Sequence, residues 1–194
     1  MRREGARSDG RSNRTGPHRT GRQQECQGSW RAASSSWDEQ ADRLAIPLVD
    51  EARRRGVRRV VDLSAMGIET MPDAALRKVE RHLEATGLDY THLRPNWFMQ
   101  IFSTGSLRAG VSAWGAIQVP AAAARVSFID ARAIAEVAAQ ALREPKHGGK
   151  AYTLTGCRAL DHSEVAEAIS RAAGRPVRYV ELVLSSAGAR ARCR

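Results

Sequence analysis

The chain has 194 residues, enough for one domain of ordinary size, and a formal net charge of +10 at pH 7. Residues 1–36 hold eight arginines and three acidic residues, and residues 190–194 hold three more arginines, which leaves 20 basic and 18 acidic residues between them. A nucleic-acid-binding face on the folded part is therefore poorly supported, and a basic nucleic-acid binder ranks last among the functions considered.

The two ends differ in composition from the middle of the chain. Residues 1–36 contain no Val, Ile, Leu, Phe or Tyr, so this stretch buries too little apolar surface to offset the entropy of ordering it. We predict a disordered basic segment over residues 1–37, a folded domain over 38–182 and a disordered tail over 183–194. No apolar run is long enough for a secretory signal or a membrane anchor, so we predict a cytoplasmic protein without a membrane partner; an arginine- and serine-rich transit peptide is the alternative.

Cysteine and histidine spacing matches no metal or redox motif. We therefore predict no metal site, and free thiols in a reducing compartment. The residues concerned are Cys26, Cys157, Cys193, His82, His92, His147 and His162.

The first predicted elements form one strand–helix–strand unit. A helix is expected over 38–55, with an apolar stripe of Leu44, Leu48 and Val49; Pro47 falls inside it and should kink it or lie near a turn boundary. A strand over 57–63 follows and ends in the turn Ser64–Gly67. Pro72 and Asp73 open a second helix, which ends at Gly87 and carries an inner face of Leu76, Val79 and Leu83.

A second strand over 88–93 stops at Arg94 and Pro95, and a short helix is expected near Trp97–Phe102. Strand, turn, helix and strand in this order are typical of a crossover in a parallel sheet. Ligands of such sheets bind beyond the carboxyl ends of the strands. The unit therefore looks like half of a nucleotide-binding site.

The second half of the chain alternates in the same way. Residues 103–124 are predicted to be a mobile loop or lid, and 126–129 a short strand. Asp130 is expected to cap a helix with an inner face of Ile134, Val137, Ala138, Ala141 and Leu142. A strand over 150–155 follows. Asp161 and Glu164 have capping-box spacing for a last helix that includes Val165, Ala168, Ile169 and Ala172, closed by Gly174, and residues 177–183 are extended. The alternation favours an α/β fold with a mainly parallel sheet.

Several segments together resemble the NmrA-like branch of the atypical short-chain dehydrogenases, in particular NAD(P)H-binding oxidoreductases akin to those of ergot alkaloid biosynthesis. The resemblance covers residues 38–182. The matching segments are VVDLSAMG, LRKVERHLEATG, LDYTHLRPNWFMQ, RVSFIDARAIAEVAAQAL and YTLTG with LDHSEVAEAISRAAGRPVRYV.

The resemblance implies a Rossmann-like sheet with a small C-terminal substrate lobe, binding of NAD(P)H, and hydride transfer to a small organic acceptor. The family's glycine-rich phosphate loop is not found, because Gly5, Gly10, Gly16 and Gly21 do not follow an apolar strand. We expect that the nucleotide-binding half is missing, through truncation or a wrong reading frame over residues 1–36. As written, the chain would then be weakly active or inactive.

The resemblance also assigns candidate site residues. Ser64 and Met66 would lie beside the nicotinamide and its ribose, Pro95 and Asn96 would contact its carboxamide, and Trp97 and Phe98 would wall the substrate pocket. Ser64 and Lys78 are the candidate catalytic residues, with a polar strand-end turn and a solvated helix face as the respective structural alternatives.

In related enzymes a tyrosine stands four residues before the active-site lysine, whereas Ala74 occupies that position here. The missing hydroxyl suits an acceptor that needs little protonation. It suits equally a non-catalytic protein that senses NAD(P) and acts through a protein partner.

Overall fold

The computed structural model describes residues 36–183, with side chains from Gln40 onward. Residues 1–35 and 184–194, and with them nearly all of the two segments predicted to be disordered, lie outside the described residues. The helices and strands in chain order are α1 (Ser36–Arg54), β1 (Arg59–Leu63), α2 (Ala75–Thr86), β2 (Asp89–Pro95), α3 (Arg108–Trp114), β3 (Ala116–Val119), α4 (Ala131–Arg143), β4 (Lys150–Leu154), α5 (His162–Ala173) and β5 (Arg178–Glu181).

The strands form two parallel sheets. The larger has the order β1-β2-β4, with Arg59 opposite Asp89 and Thr91 opposite Lys150. The smaller pairs β3 with β5 and is covered by α3 and α5, which makes a separate lobe. The predicted α/β fold, with a mainly parallel sheet and a small C-terminal lobe, is confirmed.

Helix α1 has the predicted extent, but its predicted apolar stripe is wrong at two of three positions. Val49 is buried against Val79 and Leu83 of α2, whereas Leu44 and Leu48 are 68% and 69% exposed. Helix α2 packs against the side of α1 that carries Val49 and leaves Leu44 and Leu48 uncovered. The helix also continues through Pro47.

Helix α2 follows the prediction closely. It begins after the extended residue Ala74 and ends at Gly87, whose φ of 76° lies in the left-handed region that favours glycine. Val79 and Leu83 are buried, as their spacing on one helix face predicts.

The predicted loop or lid over 103–124 is wrong, because α3 and β3 lie within it. Strand β3 is stabilised by pairing with β5, about 60 residues further along the chain, and its Ile117 is fully buried. At Gly110 an added Cβ would lie 2.8 Å from Ala116 O, so glycine lets α3 approach β3 closely. Such a short helix and a non-local strand pair leave little periodicity in the sequence.

The predicted strand over 126–129 is also wrong, since this segment makes isolated bridges instead of a ladder. Ile129 pairs with Phe98 beside the larger sheet, and Val126 pairs with Leu160 beside the lobe. The segment runs from the hydrophobic core of the lobe, which includes Val126, to the core under the larger sheet, which includes Ile129. It therefore forms a strand in neither sheet.

The predicted caps of the last two helices are confirmed. Asp130 accepts a hydrogen bond from Arg132 N, and Asp161 with Glu164 completes a capping box. Leu142 of α4 is 53% exposed, and Ala168 and Ala172 of α5 are exposed, which corrects three predicted inner positions. No helix within residues 36–183 has the length and apolar content needed to cross a bilayer.

Candidate functional site

The candidate site lies at the edge where the three strands of the larger sheet end. Because β1, β2 and β4 are parallel, their carboxyl ends meet at one edge. Backbone pairing continues just beyond these ends: Ser64 N and Met66 N donate to carbonyls of β2 at 2.8 and 3.0 Å, and Asn96 N donates to the last residue of β4 at 2.8 Å. The fold thus places the predicted segments 64–66 and 95–98 side by side.

Asn96 sets the direction in which the chain leaves β2. Its side chain is buried, and its Oδ1 accepts a hydrogen bond from Trp97 N at 2.8 Å. The carbonyl of Trp97 accepts from Ile129 N at 2.9 Å, and Met99 N donates to Ile129 O at 2.8 Å. Backbone bonds on both sides therefore fix the position of Phe98 between Trp97 and Met99.

A solvent-open hollow of about 380 Å³ lies against the aromatic pair. Trp97 also packs against the core of the lobe, and Phe98 packs against the core under the larger sheet, so both are half-buried. The volume lies in the range of small-molecule sites. The lining residues are Trp97, Phe98, Gln100, Ile101, Thr104 and Gly105, and none of them is charged.

Gln100 and Gly105 shape this hollow, and sequence reasoning missed them. Gln100 Oε1 accepts from Ala131 N at 3.1 Å, which ties the hollow to the start of α4. At Gly105 an added Cβ would lie 2.7 Å from Ile101 Cα, so only glycine fits this tight turn. Within residues 103–124, which were predicted to be a mobile loop or lid, Gly105 is the residue that could have indicated this turn.

The two predicted residues after β1 have different environments. Met66 is 43% exposed and accessible to a ligand at the strand ends. Ser64 is 6% exposed, and its hydroxyl lies beside the Glu80 carboxylate, without a hydrogen bond of good geometry. Ser64 is thus buried at the end of β1 and is not one of the residues that line the hollow.

Beneath Ser64 lies an ion-pair network centred on Glu80, which is fully buried. Arg94 donates to both Glu80 oxygens at 2.9 Å, and Arg77 donates to Oε2 at 2.8 Å. Burial raises the pKa of Glu80, but the hydrogen bonds from Arg94 and Arg77, together with the nearby Ser64 hydroxyl, outweigh it and hold the pKa below its usual value. The carboxylate is therefore fixed in its ionised form.

The fold also brings His92 next to Asp62 and Glu80, with one potential ligand atom of each within 4.8 Å of the others. His92 Nδ1 lies 3.1 Å from Asp62 Oδ2, while Nε2 is buried without a hydrogen-bond partner. Two guanidinium groups already neutralise Glu80 and would repel a cation. This donor set fits an ion-pair network and not a metal site.

Lys78 does not line the hollow, and its side chain contacts α1 instead. Its side chain is 51% exposed, and Nζ lies 3.6 Å from Asp42 Oδ2 on α1. Ala74, four residues earlier, supplies no hydroxyl. The arrangement matches the solvated-face alternative, and a catalytic role of Lys78 has no geometric support in the described residues.

Parallel strands joined by crossover helices, with a small appended lobe, place the described residues in the Rossmann-like class of folds. Residues 48–187 match the NmrA-like family, and the chain belongs to that family. It is an NAD(P)H-dependent oxidoreductase family, as the sequence resemblance predicted.

Named relatives agree with this assignment. The chain is 37% identical to the NAD(P)H azoreductase of Xenophilus azovorans over 72% of this chain and 50% of that protein. It is 36% identical to the agroclavine dehydrogenase of Claviceps fusiformis over 75% and 51%. The chain therefore spans about half the length of the curated relatives it matches.

Solved structures show the same fold. The NADPH complex of the quinone oxidoreductase QOR2 from Escherichia coli superposes with a TM-score of 0.64 at 25% identity, over 79% of this chain and 54% of that chain. The NADP(H) complex of the Citrobacter sp. triphenylmethane reductase gives 0.60 at 26% identity, over 72% and 50%. NAD(P)H is thus the cofactor of the family, as predicted.

Proposed function

We propose that residues 38–182 form the nicotinamide and acceptor side of an NAD(P)H-dependent oxidoreductase that reduces a small organic acceptor. The observation that carries the proposal is the uncharged hollow lined by Trp97 and Phe98 at the carboxyl edge of the parallel strands. The names of its relatives, an azoreductase, a quinone oxidoreductase and a triphenylmethane reductase, support an acceptor of this kind.

The residues at this edge fit the nicotinamide end of the cofactor. Met66 offers an exposed thioether, and the hollow offers aromatic walls without a charged side chain, which suits a planar, weakly polar ring. Met66, Pro95 and Asn96 would hold the ring, while Trp97 and Phe98 would position the acceptor and exclude water. When bound, NAD(P)H supplies the hydride.

The test is NADPH oxidation by the full chain against a panel of electron-poor quinones, enones and imines. Trp97→Ala removes one wall, so we expect kcat/KM to fall on the order of tenfold or more. Trp114→Ala is the matched control, because Trp114 is 65% exposed and lies outside the lining of the hollow. Equal losses of kcat/KM in both variants would contradict the proposal.

A second function is favoured by the environment of Lys78. With Ala74 in place of a hydroxyl and Lys78 beside Asp42, the described part of the chain assembles no acid–base pair of the kind used by related enzymes. The chain would then sense the NAD(P) redox state and act through a protein partner. Saturable NADPH binding that requires Trp97 but supports no turnover would identify this function.

We also propose the cytoplasm as the compartment, since an NAD(P)H-dependent reductase draws on the nucleotide pool there. Cell fractionation with antibodies against the chain tests this placement, and recovery in a secreted or organellar fraction would contradict it.

A further inference from the structure

The edge of the larger sheet opposite the candidate site carries a concentration of basic side chains. These residues lie where α1 and α4 end and where β1 and β4 begin, and we call them the basic face. They are Arg53, Arg54, Arg55, Arg58, Arg59, Arg143, Lys146 and Lys150.

Backbone and side-chain bonds hold these segments together. Val57 N donates to Ala52 O at 3.0 Å, which folds the end of α1 against the start of β1. Arg59 Nη1 donates to Leu142 O at 3.0 Å and so joins the last turn of α4 to the same strand. Gly149 N donates to a β2 carbonyl at 2.7 Å, which places the start of β4 alongside.

The charge of this face is only partly compensated. Three carboxylates lie among its eight cations, and each is already paired: Glu51 with Arg54 and Arg55, Asp89 with Arg59, and Glu144 with Lys146. Within residues 36–183, four members of the face have no ion-pair partner: Arg53, Arg58, Arg143 and Lys150.

Helix dipoles explain part of this pattern but not all of it. Helices α1, α2 and α4 end at this edge, and each carboxyl terminus carries about half a negative charge, roughly −1.5 in total. Eight cations and three carboxylates leave a net charge of five positive units on this face, which is more than is needed to balance the negative charge of the helix ends.

Two apolar side chains stand among these cations. Val57 is 41% exposed and Leu142 is 53% exposed, although each adjoins a basic residue in the sequence. The aromatic side chains of the neighbouring segments, Tyr90, His147 and Tyr152, are partly buried and none of them is exposed. Exposed aliphatic groups add affinity for a lipid surface, whereas binding of a single-stranded nucleic acid relies on aromatic stacking.

We propose that the basic face is a docking surface for an anionic lipid bilayer. The cations contact the lipid headgroups, and Val57 and Leu142 enter the boundary between headgroups and acyl chains. This proposal departs from the sequence-based prediction of no membrane partner, which rested on the lack of a long apolar run; docking at the bilayer surface requires no membrane-spanning helix. The candidate site lies at the opposite edge of the sheet and stays open to solvent, so this surface operates whether or not the proposed oxidoreductase function holds.

The experiment is co-sedimentation of the full chain with phosphatidylcholine vesicles containing about one third phosphatidylserine. Arg53→Gln, Arg58→Gln and Arg143→Gln are combined, because these side chains have no ion-pair partner. The control combines Arg108→Gln, Arg132→Gln and Arg178→Gln, which removes the same charge from exposed arginines of α3, α4 and β5 outside the face. Circular dichroism verifies that both variants fold.

We expect wild type and control to bind alike and the face variant to bind on the order of 100-fold more weakly, with binding lost at high salt and absent on pure phosphatidylcholine. Equal losses in both variants would assign binding to total charge, including the arginine-rich ends, and would overturn the proposal. A face variant that loses affinity for a DNA duplex, while the wild type ignores the vesicles, would identify nucleic acid as the partner and overturn it as well.

Discussion

At the scale of single residues, the described structure concentrates its buried charge in the Glu80 network. Glu80 is fully buried and receives hydrogen bonds from Arg94 and Arg77, each within 3 Å. Compared with well-packed apolar side chains of similar volume, a buried ion pair adds little net stability. Removing one of its partners, however, leaves a buried charge uncompensated. The network therefore fixes helix α2 in one position relative to the end of β2.

We predict that Glu80→Gln lowers the free energy of unfolding by about 3 kcal/mol, because Arg77 and Arg94 lose their buried carboxylate and keep only the more exposed Glu84 and Glu69. Urea denaturation followed by circular dichroism measures the change. Glu136→Gln on the exposed side of α4 is the control, with an expected change below about 0.5 kcal/mol. A loss for Glu80→Gln as small as that of the control would contradict the structural role.

His162 is a second residue whose burial has a measurable effect, in this case on the pH dependence of stability. Its ring is buried between Phe128 and Tyr179, with centroid distances of 5.9 and 5.6 Å, and its Nδ1 has no hydrogen-bond partner. Burial lowers the pKa of His162 below 6.5, against a weaker opposing effect of Asp161. The folded state therefore holds this histidine neutral more strongly than the unfolded state does.

The sign of the pH dependence follows from that difference. Well above pH 6.5 both states are neutral at this site and stability is unaffected; as the pH falls through 6.5, the unfolded state takes up the proton first and stability is lost. We predict that His162→Gln flattens the decline in unfolding free energy between about pH 6.5 and 5. The half-exposed His82 supplies the control variant His82→Gln, and an unchanged slope in His162→Gln would count against the prediction.

At the scale of elements, the helices with strong local signals were predicted best. Helix α5 begins at the predicted capping box, and α4 begins after the predicted cap Asp130. Helix α3 and strand β3 were missed, because seven and four residues give too few turns or alternations to show a period. Their stability comes from contacts with β5 and α5, which are distant in the sequence.

We predict that Asp161→Ala destabilises the protein by about 1–2 kcal/mol, because two backbone N–H groups lose their acceptor. Asp161 Oδ1 accepts from both Ser163 N and Glu164 N at 2.9 Å. Thermal denaturation of this variant is compared with that of Asp161→Asn, which keeps a capping oxygen and should stay close to wild type. Equal destabilisation by both substitutions would show that the ion pair with Arg125, and not the cap, is what matters.

At the scale of the whole molecule, the surface of the described residues is uneven. Leu44 and Leu48 lie one turn apart on α1 and are both more than two-thirds exposed, and they form a contiguous apolar row. Exposed apolar patches promote association, whereas single exposed residues are ordinary. This row is therefore an expected cause of self-association of the isolated chain.

We predict that Leu44→Lys combined with Leu48→Lys reduces self-association, measured by sedimentation velocity, and changes the unfolding free energy by less than about 1 kcal/mol. Leu142→Lys is the control, since it replaces a leucine that is 53% exposed and lies apart from this row. An equal reduction by the control would show that charge alone is responsible. A large loss of stability in the double variant would show that the row is covered.

The sequence by itself determined the α/β class, the crossover from β1 to β2, the caps of α4 and α5, and the family. These follow from local periodicity, from hydrogen bonds between neighbouring residues and from short motifs, all of which are written in consecutive positions. Tertiary structure alone decided which side of α1 is buried, that β3 pairs with β5, and that Glu80 receives Arg94. Each of these depends on surfaces that meet only after separate elements pack, so local periodicity in the sequence does not reveal the partners.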